Sequence, residues 1–171
     1  MTTRSVPSPG RYVTFHLGAS HYAVPVGAVR EVVRLCPITT VPQMPEYVRG
    51  VINLRGTVLA VLDLRAKFRM AAVEYDDRSC IIVFEHRSGG RNAFVGAIVD
   101  AVDDVVVLTE SQLAPPPDFA GAVEARFLAG VAVGSDRVRA VLAMDEILAS
   151  DHSFELPDVH PISAQSGPES P

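Results

Sequence analysis

The pattern of apolar and polar residues along this chain predicts short β-strands joined by tight turns. Apolar and polar residues alternate over 12–17, residues 18–20 interrupt the pattern, and residues 21–26 resume it, as expected for a β-hairpin. β-Branched residues and glycine-rich turns favour strands over helices in the rest of the chain. Three further hairpins are predicted. Their paired strands lie at 50–54 and 58–64, at 80–86 and 93–99, and at 130–133 and 138–144. The last of these strands is expected to place Val138 in the core.

Part of this pattern occurs twice. Residues 50–62 align without a gap on residues 130–142, and residues 26–33 align on residues 99–106 with Glu31 recurring as an acid at Asp104. A unit of this length that occurs only twice indicates two similar subdomains rather than a solenoid. Four or five short strands in each copy predict an all-β protein of two small barrels packed side by side with a groove between them.

The chain divides into one folded region and two polar termini. Residues 11–150 form the folded region, with the first barrel mainly in 11–70 and the second mainly in 78–150, and exchange of strands between them is left open. Short helical turns are expected at 45–50, 109–113 and 145–149, whereas residues 27–32 fit either a helical turn or a strand. Serine, proline and charged residues dominate residues 1–10 and 151–171, so both termini are expected to be disordered.

Composition narrows the function classes. The 171 residues are 48% hydrophobic, which suffices for a packed core, and the net charge of −5 provides no basic surface for nucleic acid or an anionic membrane. No apolar run reaches the roughly 18 residues of a membrane span, and the first ten residues lack the apolar segment of a signal peptide. We therefore expect a soluble, cytoplasmic protein that neither inserts into the membrane nor binds nucleic acid.

The search for catalytic chemistry finds no motif. The five histidines have no HxxxH or HExxH spacing, and phosphate-binding and dinucleotide-binding glycine motifs are absent, so no metal and no cofactor are predicted. A small enzyme that uses Cys36 or Cys80 remains an alternative, and Cys36 could be combined with His16 or His21 as its base, although no spacing selects this arrangement. A free-standing peptide- or ligand-binding module is a third possibility.

The strongest local motif is the segment 50–56, which contains Asn53-Leu54-Arg55-Gly56. A β-hairpin accounts for Gly56, because glycine readily adopts a positive φ, but it does not require an arginine. The second copy has Gly134-Ser135-Asp136 at this turn, so Arg55 is a candidate functional residue. Glu31 is its natural counter-ion if the two strands are neighbours, and a solvated ion pair without function is the competing interpretation.

The full series of motifs resembles the CheW-type coupling proteins of bacterial chemotaxis. The resemblance extends from Tyr12 to about residue 150 and includes the Asn53-Leu54-Arg55-Gly56 turn, Asp63-Leu64-Arg65 shortly after it, and the segments 95–105 and 143–148. It implies two five-stranded SH3-like barrels and a non-catalytic adaptor. The implied partners are the cytoplasmic hairpin tip of a chemoreceptor and the regulatory domain of a CheA-type histidine kinase, in receptor arrays at the inner face of the membrane.

The resemblance also implies which residues contact these partners. Glu31 and Arg55 match the family's paired acid and base, and an apolar seam between the barrels is expected to face the receptor tip. The implied partner-binding residues are Glu31, Arg55, Gly50, Asn53, Leu54, Gly56, Val29, Val99 and Val102. An adaptor of another chemosensory pathway, such as surface motility or development, would have the same sequence pattern.

Overall fold

The computed structural model describes residues 6–88, 90–117 and 125–149, and over these ranges the protein is mostly β. Two short α-helices and three 3-10 turns connect the strands. The strands are β1 (Gly10–Leu17), β2 (Ser20–Pro25), β3 (Val29–Arg34), β4 (Val48–Leu54), β5 (Thr57–Asp63), β6 (Cys80–Ser88), β7 (Arg91–Val99), β8 (Ala101–Leu108), β9 (Leu113–Ala114), β10 (Leu128–Val133) and β11 (Val138–Leu142). The helices are α1 (Leu64–Lys67) and α2 (Met144–Ala149), and the 3-10 turns are Val26–Ala28, Glu110–Gln112 and Ala125–Phe127.

These strands form two sheets. One has six strands in the order β8-β1-β2-β11-β10-β9, and the other has five in the order β3-β6-β7-β5-β4. The six-stranded sheet exceeds the expected five strands because β9 adds a two-residue strand beside β10, whereas the first copy has only the single bridge between Thr39 and Val51 at the equivalent place. The all-β class and the four predicted hairpins are confirmed.

The two copies exchange their hairpins. The β1–β2 hairpin pairs with β8 and β11 of the second copy, and the β6–β7 hairpin pairs with β3 and β5 of the first copy. Residues 11–70 and 78–150 therefore do not each form one sheet, and the exchange that the sequence left open takes place. Each exchanged hairpin joins the other copy through a parallel strand pair, β5 with β7 and β11 with β2. The register is the same in both pairs, because Ala60 lies opposite Val95 and the equivalent residue Ala140 lies opposite Tyr22, the equivalent of Val95.

Two glycines in equivalent positions permit a close approach of neighbouring backbone. A Cβ added at Gly50 would lie 2.0 Å from the carbonyl oxygen of Thr39, and one at Gly130 would lie 2.5 Å from that of Ala114. Each glycine also follows a register shift in its hairpin. The duplication seen in the sequence is thus a duplication of the backbone geometry.

Some local predictions differ from the structure. Residues 45–50 form a turn and the start of β4 rather than a helical turn, because Val48 and Gly50 already pair with β5. The segment 27–32 combines both alternatives, since the 3-10 turn Val26–Ala28 leads directly into β3. Gly10 belongs to β1, whereas residues 1–5 and 151–171 of the predicted disordered termini lie outside the described residues.

The main core lies between the sheets and contains side chains of both. Phe15 and Leu17 of β1 pack in the same cluster as Ile82 and Phe84 of β6, and all four are at most 1% exposed. Ile147 and Leu148 of α2 belong to this cluster too. Because both hairpins contribute to one core, neither sheet buries its apolar face alone.

An ion pair lies where the chain passes from one sheet to the other. Asp100 separates β7 from β8 and accepts hydrogen bonds from Arg65 Nε (2.7 Å), Arg65 Nη2 (2.5 Å) and the Gly18 amide (2.7 Å). The hydrogen bonds from Arg65 lower the pKa of Asp100, and they outweigh burial, which acts to raise it. The contact joins the crossover, helix α1 and the β1–β2 turn.

The core position predicted for Val138 is wrong. Val138 is 59% exposed, and its partner Val133 is 51% exposed, because β11 enters the core only at Val141 and Leu142. Val138→Asp should change the free energy of unfolding by no more than about 0.5 kcal/mol. Val141→Asp should lower it by more than about 3 kcal/mol, because it places an unpaired charge in the core. Urea unfolding midpoints compare the two, and equal midpoints would contradict this placement of β11.

Asp100 should make stability depend on pH in acid. Its folded pKa is lowered, so its stabilisation is complete above the unfolded pKa of about 3.9 and is lost as pH falls through the folded pKa. Asp100→Asn should destabilise the protein at neutral pH by about 1.5–3 kcal/mol and lessen the acid dependence. Asp77→Asn, at an exposed site, is the control and should retain the wild-type pH profile of the unfolding midpoint. An unchanged profile in Asp100→Asn would contradict the role of this contact.

Candidate functional site

The turn between β4 and β5 presents Arg55 in a conformation that arginine rarely adopts. Arg55 and Gly56 form the two-residue loop, with φ of 51° and 89°, which matches a type I′ turn. The Asn53 side chain accepts a hydrogen bond from the Gly56 amide (2.8 Å) and closes the turn. Asparagine or glycine is favoured at the first loop position, so the arginine has a conformational cost that the hairpin does not require.

Glu31 on β3 pairs with this arginine. The contact joins Arg55 Nη2 to Glu31 Oε2, with the Arg55 side chain 71% exposed and the Glu31 side chain 25% exposed. The predicted pair is therefore present, although β3 and β4 lie at opposite edges of the five-stranded sheet. An ion pair this exposed contributes only about 0–1 kcal/mol to stability. Because the Arg55 side chain is mostly exposed and has five donors, the donors that Glu31 does not use remain available to a partner.

A bulge beside Glu31 completes the site. Val29 pairs with Phe84 and Glu31 pairs with Val83, so Arg30 is an additional residue in β3. The Arg30 guanidinium carbon lies 5.8 Å from the centre of the Phe94 ring. A depression of about 180 Å³ results, lined by Arg30, Glu31, Leu54, Arg55, Thr57, Leu59, Val83 and Phe94.

The size and lining of this depression favour a macromolecular partner. Its volume is below the roughly 300–1,000 Å³ typical of small-molecule sites. Exposed charges surround an apolar floor formed by Leu59 and Val83, which are 2% and 1% exposed. This arrangement can accommodate one side chain of a docked protein, and it gives no support to a separate ligand-binding module.

The remaining sequence-predicted residues lie in different environments. Gly50 is buried and has the structural role described above, whereas Asn53 and Gly56 are exposed in the turn. Val29 and Val102 are partly buried against the main core, in equivalent positions of the two copies. Val99 is 1% exposed, so its side chain cannot contact a partner while the protein is folded. The structure brings the turn residues and Glu31 together, whereas Val99 lies in the core cluster and Val29 and Val102 pack against its outside.

The structure adds two site residues that sequence reasoning missed. Arg30 enters the site through the β3 bulge, and Phe94 reaches it from the exchanged β6–β7 hairpin. The aligned copies could have drawn attention to Arg30, because its counterpart Asp103 has the opposite charge. No local pattern signals that Phe94 lies beside the turn of the other copy.

The cysteine alternative finds no support in the structure. Cys36 packs against a smaller apolar cluster, and Cys80 packs against the main core. Burial raises the pKa of the Cys80 thiol, which disfavours the reactive thiolate. His16 and His21 contact Asp103 rather than either cysteine. In addition, neither α-helix in the described part of the chain is long and apolar enough to traverse a bilayer.

Comparisons with known proteins agree with this fold. The family model of the CheW-like domain matches residues 11–152. The chemotaxis protein CheW of Rhizobium meliloti is 36% identical over 139 residues, which are 81% of this chain and 87% of that protein. The protein of the same name from Klebsiella aerogenes is 32% identical over 140 residues, 82% of each chain. The crystal structure of the scaffolding protein TtCheW from Thermoanaerobacter tengcongensis matches with a TM-score of 0.77 and 30% identity, covering 87% of this chain and 98% of that one.

The geometry of the turn predicts how Arg55 variants affect stability. Arg55→Asn should leave the free energy of unfolding unchanged or raise it, because asparagine tolerates positive φ and the lost ion pair contributes about 0–1 kcal/mol. Arg55→Val should lower it by about 1–2 kcal/mol, because a β-branched residue is strained at this φ. Chemical unfolding compares the variants. Strong destabilisation by Arg55→Asn would mean that the arginine is mainly a structural residue.

Proposed function

The chain belongs to the CheW-like domain family of non-catalytic scaffolding proteins in chemotaxis signalling, and we propose that it couples chemoreceptors to a CheA-type histidine kinase. Its partners would be the kinase's regulatory domain and the cytoplasmic hairpin tip of the receptor. It would act in the cytoplasm, at receptor arrays on the inner face of the membrane.

The observation that carries this proposal is the exposed Glu31–Arg55 pair in the strained β4–β5 turn. An arginine with an unfavourable φ, held by a carboxylate and still 71% exposed, fits a docking role better than a stabilising one. Its planar guanidinium has five donors, so Glu31 can orient it while other donors meet a partner. Asn53, Leu54 and Gly56 would maintain the turn, and buried Gly50 would support it from within β4.

The receptor tip would bind elsewhere. Val29 and Val102 occupy equivalent positions in the two copies and are only partly buried against the main core, so they are the candidates that remain for an apolar seam. Two separate small surfaces support weak, reversible contacts, which become effective when many copies assemble in an array. The two relatives described above are chemotaxis proteins by name, which favours chemotaxis over another chemosensory pathway.

Charge reversal at Arg55 tests the docking surface. Arg55→Glu places two carboxylates together, and we expect a folded protein, less stable by about 1 kcal/mol, that no longer supports receptor control of the kinase. Arg11→Glu, on the other sheet, makes the same charge change at an exposed site and should retain coupling. The measurements are unfolding midpoints and receptor-dependent kinase activity in a reconstituted mixture.

A double swap distinguishes direct docking from an internal brace. If Arg55 contacts a partner, Glu31→Arg combined with Arg55→Glu should restore stability without restoring coupling. Restored coupling would identify the pair as a brace. A well-folded Arg55→Glu protein with wild-type coupling would refute the docking site. In pull-downs, the wild-type protein should retain kinase domain and receptor tip together if the two bind at different surfaces, and mutually exclusive binding would contradict this part of the proposal.

A further inference from the structure

The second copy builds a chemically different cluster at the place that matches the Glu31–Arg55 site. Alignment of the copies places Asp103 at the position of Arg30, and strand pairing places His21 at the position of Phe94. Thus a guanidinium and an aromatic ring in one copy correspond to a carboxylate and an imidazole in the other. His16, on the strand paired with His21, adds a second imidazole.

We propose that His16, His21 and Asp103 form a binding site for a divalent transition-metal ion such as Zn²⁺. Two imidazoles and one carboxylate are ligands that suit Zn²⁺, Co²⁺ or Ni²⁺ rather than Mg²⁺ or Ca²⁺, which prefer oxygen ligands alone. The proposal is independent of the docking function proposed above.

The fold orients all three side chains toward one point. His16 and His21 are directly opposite each other in the β1–β2 hairpin, and their ring centres are 5.7 Å apart. Thr14 pairs with Asp104 and Phe15 pairs with Val102, so Asp103 is the additional residue of a bulge in β8. Bulges redirect side chains, and this one brings the Asp103 carboxylate to the hairpin.

The bulge is held in place by a buried hydroxyl group. Thr14 is fully buried, and its Oγ1 donates to the Asp104 carbonyl oxygen (3.0 Å) and accepts from the Asp104 amide (3.1 Å). The Thr14 hydroxyl therefore forms hydrogen bonds with both backbone groups of Asp104, the residue next to the bulge. As a result, the Asp103 position is specified by the sheet rather than by a flexible loop.

The distances are close to those of a metal site. Asp103 Oδ1 lies 2.7 Å from His16 Nδ1, Asp103 Oδ2 lies 3.6 Å from His21 Nδ1, and ligand atoms of all three residues lie within 4.8 Å of one another. Ligand atoms around a tetrahedral Zn²⁺ are about 3.3 Å apart, given bonds of about 2.0–2.1 Å. The separation between Asp103 Oδ1 and His16 Nδ1 would have to widen by about 0.6 Å to reach this spacing. The side chains are 19–24% exposed, so an ion could enter and a water molecule could be a fourth ligand.

A positive and a negative side chain lie next to the two histidines. Arg137 Nη1 lies 3.0 Å from His21 Nδ1, and the same guanidinium also contacts Asp136 at 3.2 Å. The Arg137 side chain is 41% exposed, so it can move toward Asp136 when an ion binds. Asp100 is close enough to His16 to interact with it and contributes a second negative charge, although Arg65 partly neutralises it.

Metal titration of the full chain tests the site. Isothermal calorimetry with Zn²⁺ should give saturable binding of one ion per chain, and Co²⁺ should produce the visible absorption of a tetrahedral complex. His16→Ala, His21→Ala and Asp103→Asn should each weaken binding at least about 10-fold, because even second-shell changes weaken metal sites about 10–100-fold. Zn²⁺ should also raise the melting temperature of the wild-type protein but not of these variants.

Two controls make the result specific. Asp104→Asn alters the adjacent acid, whose carboxylate accepts from the Val105 amide, and it should retain wild-type affinity. The double variant His152→Ala with His160→Ala removes the two C-terminal histidines and should also retain it. Circular dichroism establishes that each variant is folded. Wild-type affinity in folded His21→Ala and Asp103→Asn, or loss of binding in the C-terminal double variant, would overturn the proposal.

Discussion

The parallel pairing of each exchanged hairpin with the other copy is the constraint on which the structure depends. β2 joins β11, and β5 joins β7, so each sheet contains strands from both halves of the chain. Parallel neighbours cannot be joined by a tight turn, and both pairings therefore connect distant segments. Asp100 lies where the chain crosses between sheets and binds Arg65 and the Gly18 amide there. Because of this exchange, neither copy can form its sheet independently of the other.

The duplicated backbone supports two surfaces of different chemistry. Gly50 and Gly130 allow the same close approach of backbone, and the bulges at Arg30 and Asp103 occupy equivalent positions. The side chains around the bulges nevertheless differ. One surface has guanidinium groups and an aromatic ring, and the other has two imidazoles and a carboxylate. One backbone geometry therefore presents distinct chemical groups on the two halves of the protein.

The β4–β5 turn departs from a local conformational preference. A type I′ turn favours Asn-Gly, yet this turn has Arg-Gly, with Asn53 outside the loop and closing it. The second copy avoids the conflict with a longer loop in which Gly134 N donates to Arg137 O. Departures from local rules are concentrated at functional positions in many proteins. Arg55 fits that description, because the fold does not need an arginine at this turn.

The sequence by itself determined the strand class, the four hairpins and the duplication, because two-residue alternation and turn chemistry are local signals. The Glu31–Arg55 pair was expected through the family resemblance, and the tertiary structure brings its two strands close enough to form it. Only the tertiary structure decided which hairpins are exchanged and which residues enter the site. It also decided that Val99 is buried and Val138 is exposed, and that Arg30 and Phe94 line the site. The histidines illustrate the reason. His16, His21 and Asp103 have no recognised metal-binding spacing in the sequence, since strand pairing and a bulge, which depend on contacts between distant segments, bring them together.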